Sequence, residues 1–561
     1  MPNPVTTITK YFWHSPLLLT SIMGDVLLPL AIAGVSGNLT IPHNDSWAYS
    51  KIAQVWAETG EIDLVGWNRA ALVGQFVFLG PLAHSVFVQS LVVCVFGILA
   101  LVCLHEILRQ AGIPKRESGI AVIAFGLWPG FSLLTTSFME DIPAISVSLL
   151  GVFLAQRAIA RNSSILFICS LISAAWSFSI RESGGIAVVL GIIVVATVFL
   201  HSRRLFRVFV VMIASMVTLV LLGVFYLWRS AKPNADATHL ALTTKSLKFC
   251  TLVATVSFFE LSCVVGPVIL LSSRIQPWRA RSWVTASVTL CIGTLAWNLR
   301  GTTGFFLPNY LSRYGAYSVA WSPSEVFSLP LWNCVVVFAI CMGSIVMGQL
   351  ATLTNNSRQL LMICKHVPVA VAFSTLTLIG VIIALLSTQG LFDRYLLPLL
   401  PILYISTLSS SDELNHRPCF GVTSILRETR IVRWVRIRAL FGAISIGLIF
   451  GISMAVSLNA WSRDATIWDI ALKNVSSGIP ASSIDAGLAW IGWNSPGPVV
   501  NRQDDSPPWG RMFNLPQACM TLTSKEGAMG REQLVEILTY KTFMFIGKSN
   551  IYVYEEDNCV Q

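Results

Sequence analysis

The chain has 561 residues, 54% of them hydrophobic and only 12% charged, with a mean hydropathy of +0.68. Soluble domains carry about 25% charged residues, so this composition excludes a soluble fold. The net charge of +10 falls mostly in short loops between apolar runs, which is an orientation signal and argues against a nucleic-acid partner.

Apolar runs long enough to cross a bilayer recur along the chain. About thirteen are read, near 15–36, 83–107, 119–136, 143–160, 163–180, 184–201, 207–228, 247–272, 283–299, 331–353, 367–388, 395–411 and 439–458. Alternate connections hold Arg109, Lys115 and Arg116; Arg157 and Arg161; Arg203, Arg204 and Arg207; Arg274, Arg279 and Arg281; Arg358 and Lys365. A longer segment holds Arg417, Arg427, Arg430, Arg433, Arg436 and Arg438. The positive-inside rule places these in the cytoplasm, with the N-terminus inside and the C-terminal tail outside. Short cytoplasmic loops favour a bacterial plasma membrane. The first run exceeds a signal-peptide core, carries Asp25 and lacks a small-residue cleavage site, so it reads as a retained span.

Residues 37–82 form a long first outside loop, in which Ser46–Thr59 has helical spacing. Trp47, Ile52, Val55 and Trp56 face one way, and Asp45 and Ser46 supply N-cap chemistry. With Ala70–Phe78 it reads as a pair of interfacial helices. The 300–330 loop is rich in Phe, Tyr, Trp and Pro and reads either as an aromatic belt at headgroup level or as a mobile lid. Residues 1–458 thus form the membrane region. Residues 459–561, with Pro/Gly/Ser-rich turns and no span, form a small α+β domain that closes on a hairpin, Thr539–Ile546 and Asn550–Glu555 around Gly547. Ten of the twelve cysteines lie in or near spans; a disulfide between Cys519 and Cys559 in the tail is compatible with an oxidising compartment.

Three acidic clusters stand at span ends: His43-Asn44-Asp45, Glu140-Asp141-Ile142-Pro143 and Phe392-Asp393-Arg394-Tyr395. A carboxylate at membrane depth costs about 2.5–3.5 kcal/mol on insertion scales. The topology brings all three to the outside face, together with Arg181-Glu182, although the charge rule used only inside Lys and Arg. Each has a plainer reading. Asp45 can be an N-cap, Asp141 can cap the next span with Pro143 in its first turn, and Asp393-Arg394 can be a local ion pair. His84 reads as a packing residue. Asp25 and Glu260, inside spans, require partners. No Walker loop, CxxC pair or HExxH motif is present.

In the order of these motifs the sequence resembles the GT-C superfamily of integral-membrane glycosyltransferases, in the branch of protein O-mannosyltransferases and the lipid A aminoarabinose transferase. The resemblance rests on His43-Asn-Asp-Ser-Trp-Ala-Tyr49, Ser137-Phe-Met-Glu-Asp-Ile-Pro143, Asp393-Arg-Tyr-Leu-Leu-Pro-Leu-Leu-Pro401 and an outside tail. Where many relatives have paired acids in the first loop, this chain has Asn44-Asp45. The resemblance implies transfer of a sugar from a polyprenyl or dolichyl phosphate to an acceptor hydroxyl on a glycan, lipid or protein, with inversion. Asp45 would then be general base, and Asp141 with Glu140 would orient the donor. Asp45 and Asp141 would also be candidates to hold a divalent cation. Arg394, Arg181 or Arg313 would bind the phosphate, and Tyr395 would position it. Two other readings compete. A transporter or flippase of a lipid-linked or anionic solute predicts charges at mid-membrane depth and inverted repeats, and an O-antigen ligase or polymerase predicts a large external loop rich in Arg and His.

Overall fold

The computed structural model describes residues 15–67, 73–181, 191–192, 205–235, 245–273, 278–317, 325–354, 357–386, 391–409, 424–500, 512–513, 518–524, 526, 532–542 and 547–556. Among these, eight helices are long and apolar enough to cross a membrane: Pro16–Val35, Val86–Gln110, Asp141–Arg161, Val208–Ser230, Leu247–Leu271, Leu329–Leu353, Pro368–Leu386 and a stretch within Trp434–Ser476. The chain is a multi-pass helical membrane protein.

Several expected spans take other forms. The 119–136 run is two short helices, Lys115–Gly126 and Phe131–Thr135. They are broken at Gly130, whose φ of +139° belongs to glycine and whose Cα lies against Tyr310. Ser164–Ile180 is a shorter apolar helix, and Ala280–Arg300 is a 21-residue helix. Most of 184–201 lies outside the described residues. The 395–411 run is a 3-10 turn, Asp393–Leu399, followed by the nine-residue helix Leu400–Leu408. Pro398 and Pro401 explain this, since each lacks the N–H that an α-helical ladder needs. The first span contains a π-helical turn, Ile22–Leu27. Pro29 has no N–H to give the carbonyl of Asp25, and the ladder widens there.

One helix, Ser424–Ser476, runs without a break across residue 458 and leads out of the apolar bundle into the tail. Beyond it lie the helix Leu488–Asn494 and a four-stranded sheet. Its strands are β1 Ile484–Asp485, β2 Met520–Thr523, β3 Glu532–Thr542 and β4 Gly547–Glu556, in the order β1-β2-β4-β3. β1 and β2 are parallel; the other pairs are antiparallel. The closing pair of strands is present, with bounds that differ from those the sequence suggests. Thr542 pairs with Gly547, so Gly547 opens β4 instead of forming the turn.

The Ser46–Thr59 helix turns its Trp47 face onto protein. Trp47, Ala48 and Ile41 share a buried core with Ile467, Trp468, Trp490 and Phe513 of the emergent helix and tail. Gly492 lies so close to the Trp47 ring that a Cβ there would collide with it. Lys51 donates to the carbonyls of Gly492, at 3.3 Å, and Ser495, which caps the end of the Leu488–Asn494 helix. The 300–330 loop departs from a headgroup belt. Phe305, Tyr310 and Tyr317 are buried, and Phe305, Phe306 and Tyr310 belong to the core of the membrane region; Trp321 and Pro323 lie outside the described residues. Cys519 is disulfide-bonded. The other nine described cysteines are free, so its partner lies outside the described residues.

Candidate active site

Asp45 stands at the N-cap position of the Ser46–Thr59 helix, yet its side chain makes no cap hydrogen bond. Instead Oδ1 accepts from the Trp67 indole N–H at 3.1 Å, and Oδ2 accepts from Arg394 Nη2 at 3.3 Å. The plainer reading of Asp45 is therefore wrong in its chemistry although right in its position. Asn44, at φ +49°, turns the chain so that the carboxylate leaves the helix axis; asparagine tolerates this conformation better than most residues.

Asp141 is the first residue of the Asp141–Arg161 helix, where the helix dipole favours a carboxylate. It caps nothing. Its Oδ1 is paired with Arg181 Nη1 and lies 3.8 Å from Arg394 Nε. Glu140 Oε1 lies 3.4 Å from Arg181 Nε. Arg181 also stacks on Tyr395, with Cζ 4.8 Å from the ring centroid, and Arg394 lies 5.7 Å from the same ring. Asp45 and Asp141, 96 residues apart in the chain, thus meet one guanidinium. Glu182 lies outside the described residues.

Three carboxylates and two guanidinium groups share this largely buried site. Burial pushes the Glu140 carboxyl up to about 7; Arg181 opposes that rise and Asp141 adds to it. Burial works to lower the Arg181 value, but Asp141 and Glu140 outweigh it and hold the guanidinium charged. Tyr49, on the first-loop helix, is raised by burial and by Glu140. Arg394 Nε and Nη1 and Asp141 Oδ2 are buried with no hydrogen-bond partner among the described residues. Buried donors are ordinarily satisfied; here Nε faces the Asp141 carboxylate at ion-pair distance, 3.8 Å, without a hydrogen bond.

Asp393 takes main-chain partners. Its carboxylate is fully buried and accepts from the backbone N–H groups of Tyr310 at 2.6 Å, Leu311 at 3.1 Å and Arg394 at 2.7 Å. Burial raises it to about 7 against those three donors. Glu260 accepts from the Leu307 N–H at 3.1 Å. Two carboxylates therefore pin the aromatic loop, and Asp393 does so while fixing the backbone of Arg394. The local ion pair expected between Asp393 and Arg394 is a main-chain contact instead.

Arg313 does not join the cluster. It pairs with Glu325 at 2.5 Å and donates to the Phe327 carbonyl at 3.1 Å, both within its own loop. His84 forms an exposed pair with Glu58 at 2.9 Å. Asp25 accepts from Ser21 at 2.5 Å. Sequence reasoning missed Trp67, because nothing in the pattern of residues 60–68 links that indole to a carboxylate 22 positions earlier.

Asp45 and Asp141 are also the candidates to hold a divalent cation. The Arg394 guanidinium lies between the two carboxylates, and among the described residues no three His, Cys, Asp or Glu side chains converge as metal ligands. An ion held by Asp45 and Asp141 together would have to displace that guanidinium.

Neither a family model nor a curated protein matches the chain. Two solved structures are similar to it along nearly its whole length. One is ArnT from Cupriavidus metallidurans bound to undecaprenyl phosphate, at 13% identity, covering 96% of this chain and 98% of that one, with a TM-score of 0.47. The other is the same protein in the apo state, at 13% identity, 95% and 98% coverage and a TM-score of 0.38.

Proposed function

We propose that the protein is a GT-C-type glycosyltransferase that moves a sugar from a polyprenyl or dolichyl phosphate to an acceptor hydroxyl at the outer face of the membrane, with inversion. The observation that carries this reading is Arg394. Its Nη2 edge holds the Asp45 carboxylate, while Nε and Nη1 have no hydrogen-bond partner among the described residues. A phosphate bound at Nη1 would lie within one side chain's width of the Asp45 carboxylate on Nη2.

The chemistry follows from that juxtaposition. The acceptor oxygen attacks the anomeric carbon from the face opposite the phosphate, and its proton passes to Asp45. The bond from the anomeric carbon to the phosphate oxygen breaks, and the lipid phosphate leaves with one more negative charge. Arg394 and Arg181 stabilise that charge, with guanidinium geometry suited to phosphate oxygens. Tyr395 supports both guanidinium groups through its ring. Glu140 and Asp141 hold Arg181 in place. Asp45 and Asp141 bind no metal in this scheme; the positive charge comes from the two arginines. Exposed Leu, Ile, Val and Phe side chains on the spanning helices face the bilayer, from which the lipid tail enters. The N-terminus is cytoplasmic and the tail domain lies outside.

Sugar transfer from a panel of polyprenyl-phosphate sugars by the purified full-length protein tests the reading. Asp45→Asn is expected to lower kcat by roughly 10²–10⁴-fold, the ordinary contribution of a positioned base. Undiminished transfer by the variant removes Asp45 as base. Flux of a lipid-linked or anionic solute without transfer supports a transporter instead.

A further inference from the structure

The geometry points to Trp67 and the His43–Asp464 pair as positioning residues through which the tail domain aims the base Asp45; the inference rests on the base assignment proposed above. A carboxylate acts as base only when held toward the acceptor hydroxyl. Asp45 has two holders: Arg394, which also serves the donor, and Trp67, which lies outside the Arg–carboxylate cluster.

Trp67 is fastened to the tail. The carbonyl of Val65 accepts from the Val499 N–H at 3.0 Å. Gly66 turns at φ +74°, and a Cβ there would stand 3.1 Å from the Val499 carbonyl. The Trp67 ring lies 6.2 Å from Trp47, which packs edge-on to Phe513 at 5.5 Å. The indole that reaches Asp45 therefore packs against the hydrophobic core that the first loop shares with the tail.

On the other flank, His43 is buried and both ring nitrogens face acceptors. Nδ1 lies 2.7 Å from Asp464 Oδ2 and Nε2 lies 3.0 Å from the Asn38 carbonyl. Asp464 Oδ1 in turn accepts from Arg463 Nε at 3.0 Å and Nη2 at 2.9 Å. The residue two places before Asp45 is thus tied to the helix that carries the tail. Two independent anchors bracket Asp45, and both lead to the same domain.

The experiment measures kcat and donor KM for full-length wild type, Trp67→Phe, His43→Gln, Asp464→Asn, Asp45→Asn and the Trp67→Phe/Asp45→Asn double variant, with polyprenyl-phosphate hexoses and pentoses as donors. Trp67→Phe keeps the ring in the core and removes only the donor. It is expected to lower kcat about tenfold or more, as loss of a hydrogen bond to a charged group predicts, with donor KM within about twofold because Arg181 and Arg394 remain. His43→Gln and Asp464→Asn are expected to lower kcat in the same selective way. The double variant is expected to be no slower than Asp45→Asn, since the indole acts only through that carboxylate. Full kcat in Trp67→Phe, a matching rise in KM, or additive loss in the double variant overturns the inference while Asp45→Asn still supports the base. Undiminished transfer by Asp45→Asn, or none by wild type, overturns the base assignment and this inference with it.

Discussion

Replacing Glu140 by glutamine removes a carboxyl that burial holds up at about 7, against an ordinary value of 4.5. Glutamine keeps an acceptor for Arg181, which also retains its pair with Asp141. The displacement corresponds to a penalty on the charged form of about 3 kcal/mol. Between pH 4.5 and 7 the folded protein holds a proton that the unfolded chain has released, so stability falls as pH rises through this window and the full penalty is present above about 7. Glu140→Gln is therefore expected to match wild type near pH 4.5 and to exceed it by up to about 3 kcal/mol above pH 7. Asp393 is raised into the same range but affects both proteins alike, so the measured quantity is the difference between them. The assay is the unfolding midpoint in detergent from pH 4.5 to 8.5. Each kcal/mol moves the midpoint by about 2–4 °C in a domain of 150–250 residues and by less in a chain this long. A difference that stays constant with pH refutes the reasoning, because the carboxyl then does not carry its proton into the neutral range. The variant is also expected to lose activity while gaining stability, the usual exchange at a strained functional site.

Asp393→Leu leaves the N–H groups of Tyr310, Leu311 and Arg394 without their acceptor. It is expected to destabilise by at least about 3 kcal/mol and to open the 301–317 loop to protease, whereas Asp393→Asn, which retains a carbonyl oxygen, loses much less. Because Arg394 stands between Asp45 and Asp141, transfer is expected to proceed unchanged after treatment with EDTA. Loss of activity with recovery on adding Mg²⁺ or Mn²⁺ refutes the assignment of the phosphate's counter-charge to arginine.

Much of this protein is determined by sequence alone. Apolar runs of bilayer length force a helical membrane fold, because backbone N–H and C=O groups in hydrocarbon must satisfy one another within the segment. The cost of carboxylates at membrane depth singles out Asp45, Glu140-Asp141 and Asp393 with its neighbour Arg394, and of these Asp45, Glu140, Asp141 and Arg394 do converge. Spacing also predicts the Ser46–Thr59 helix and the closing hairpin.

Which partner each group takes was decided by the tertiary structure. Asp45 has the sequence of an N-cap, yet a guanidinium 349 positions away and an indole 22 positions away hold it. The charged, part-buried Arg394 outcompetes local capping, because a charge-assisted ion pair in low dielectric is stronger than a hydrogen bond to a neutral backbone N–H. Arg313 looks equivalent to Arg394 in sequence but is taken up by Glu325 next door. The aromatic loop has belt composition, yet two buried carboxylates turn its backbone inward. Hydropathy and charge are local quantities that a sequence carries residue by residue. Pairing depends on which surfaces meet once the helices assemble, and that distance information exists only in the folded chain.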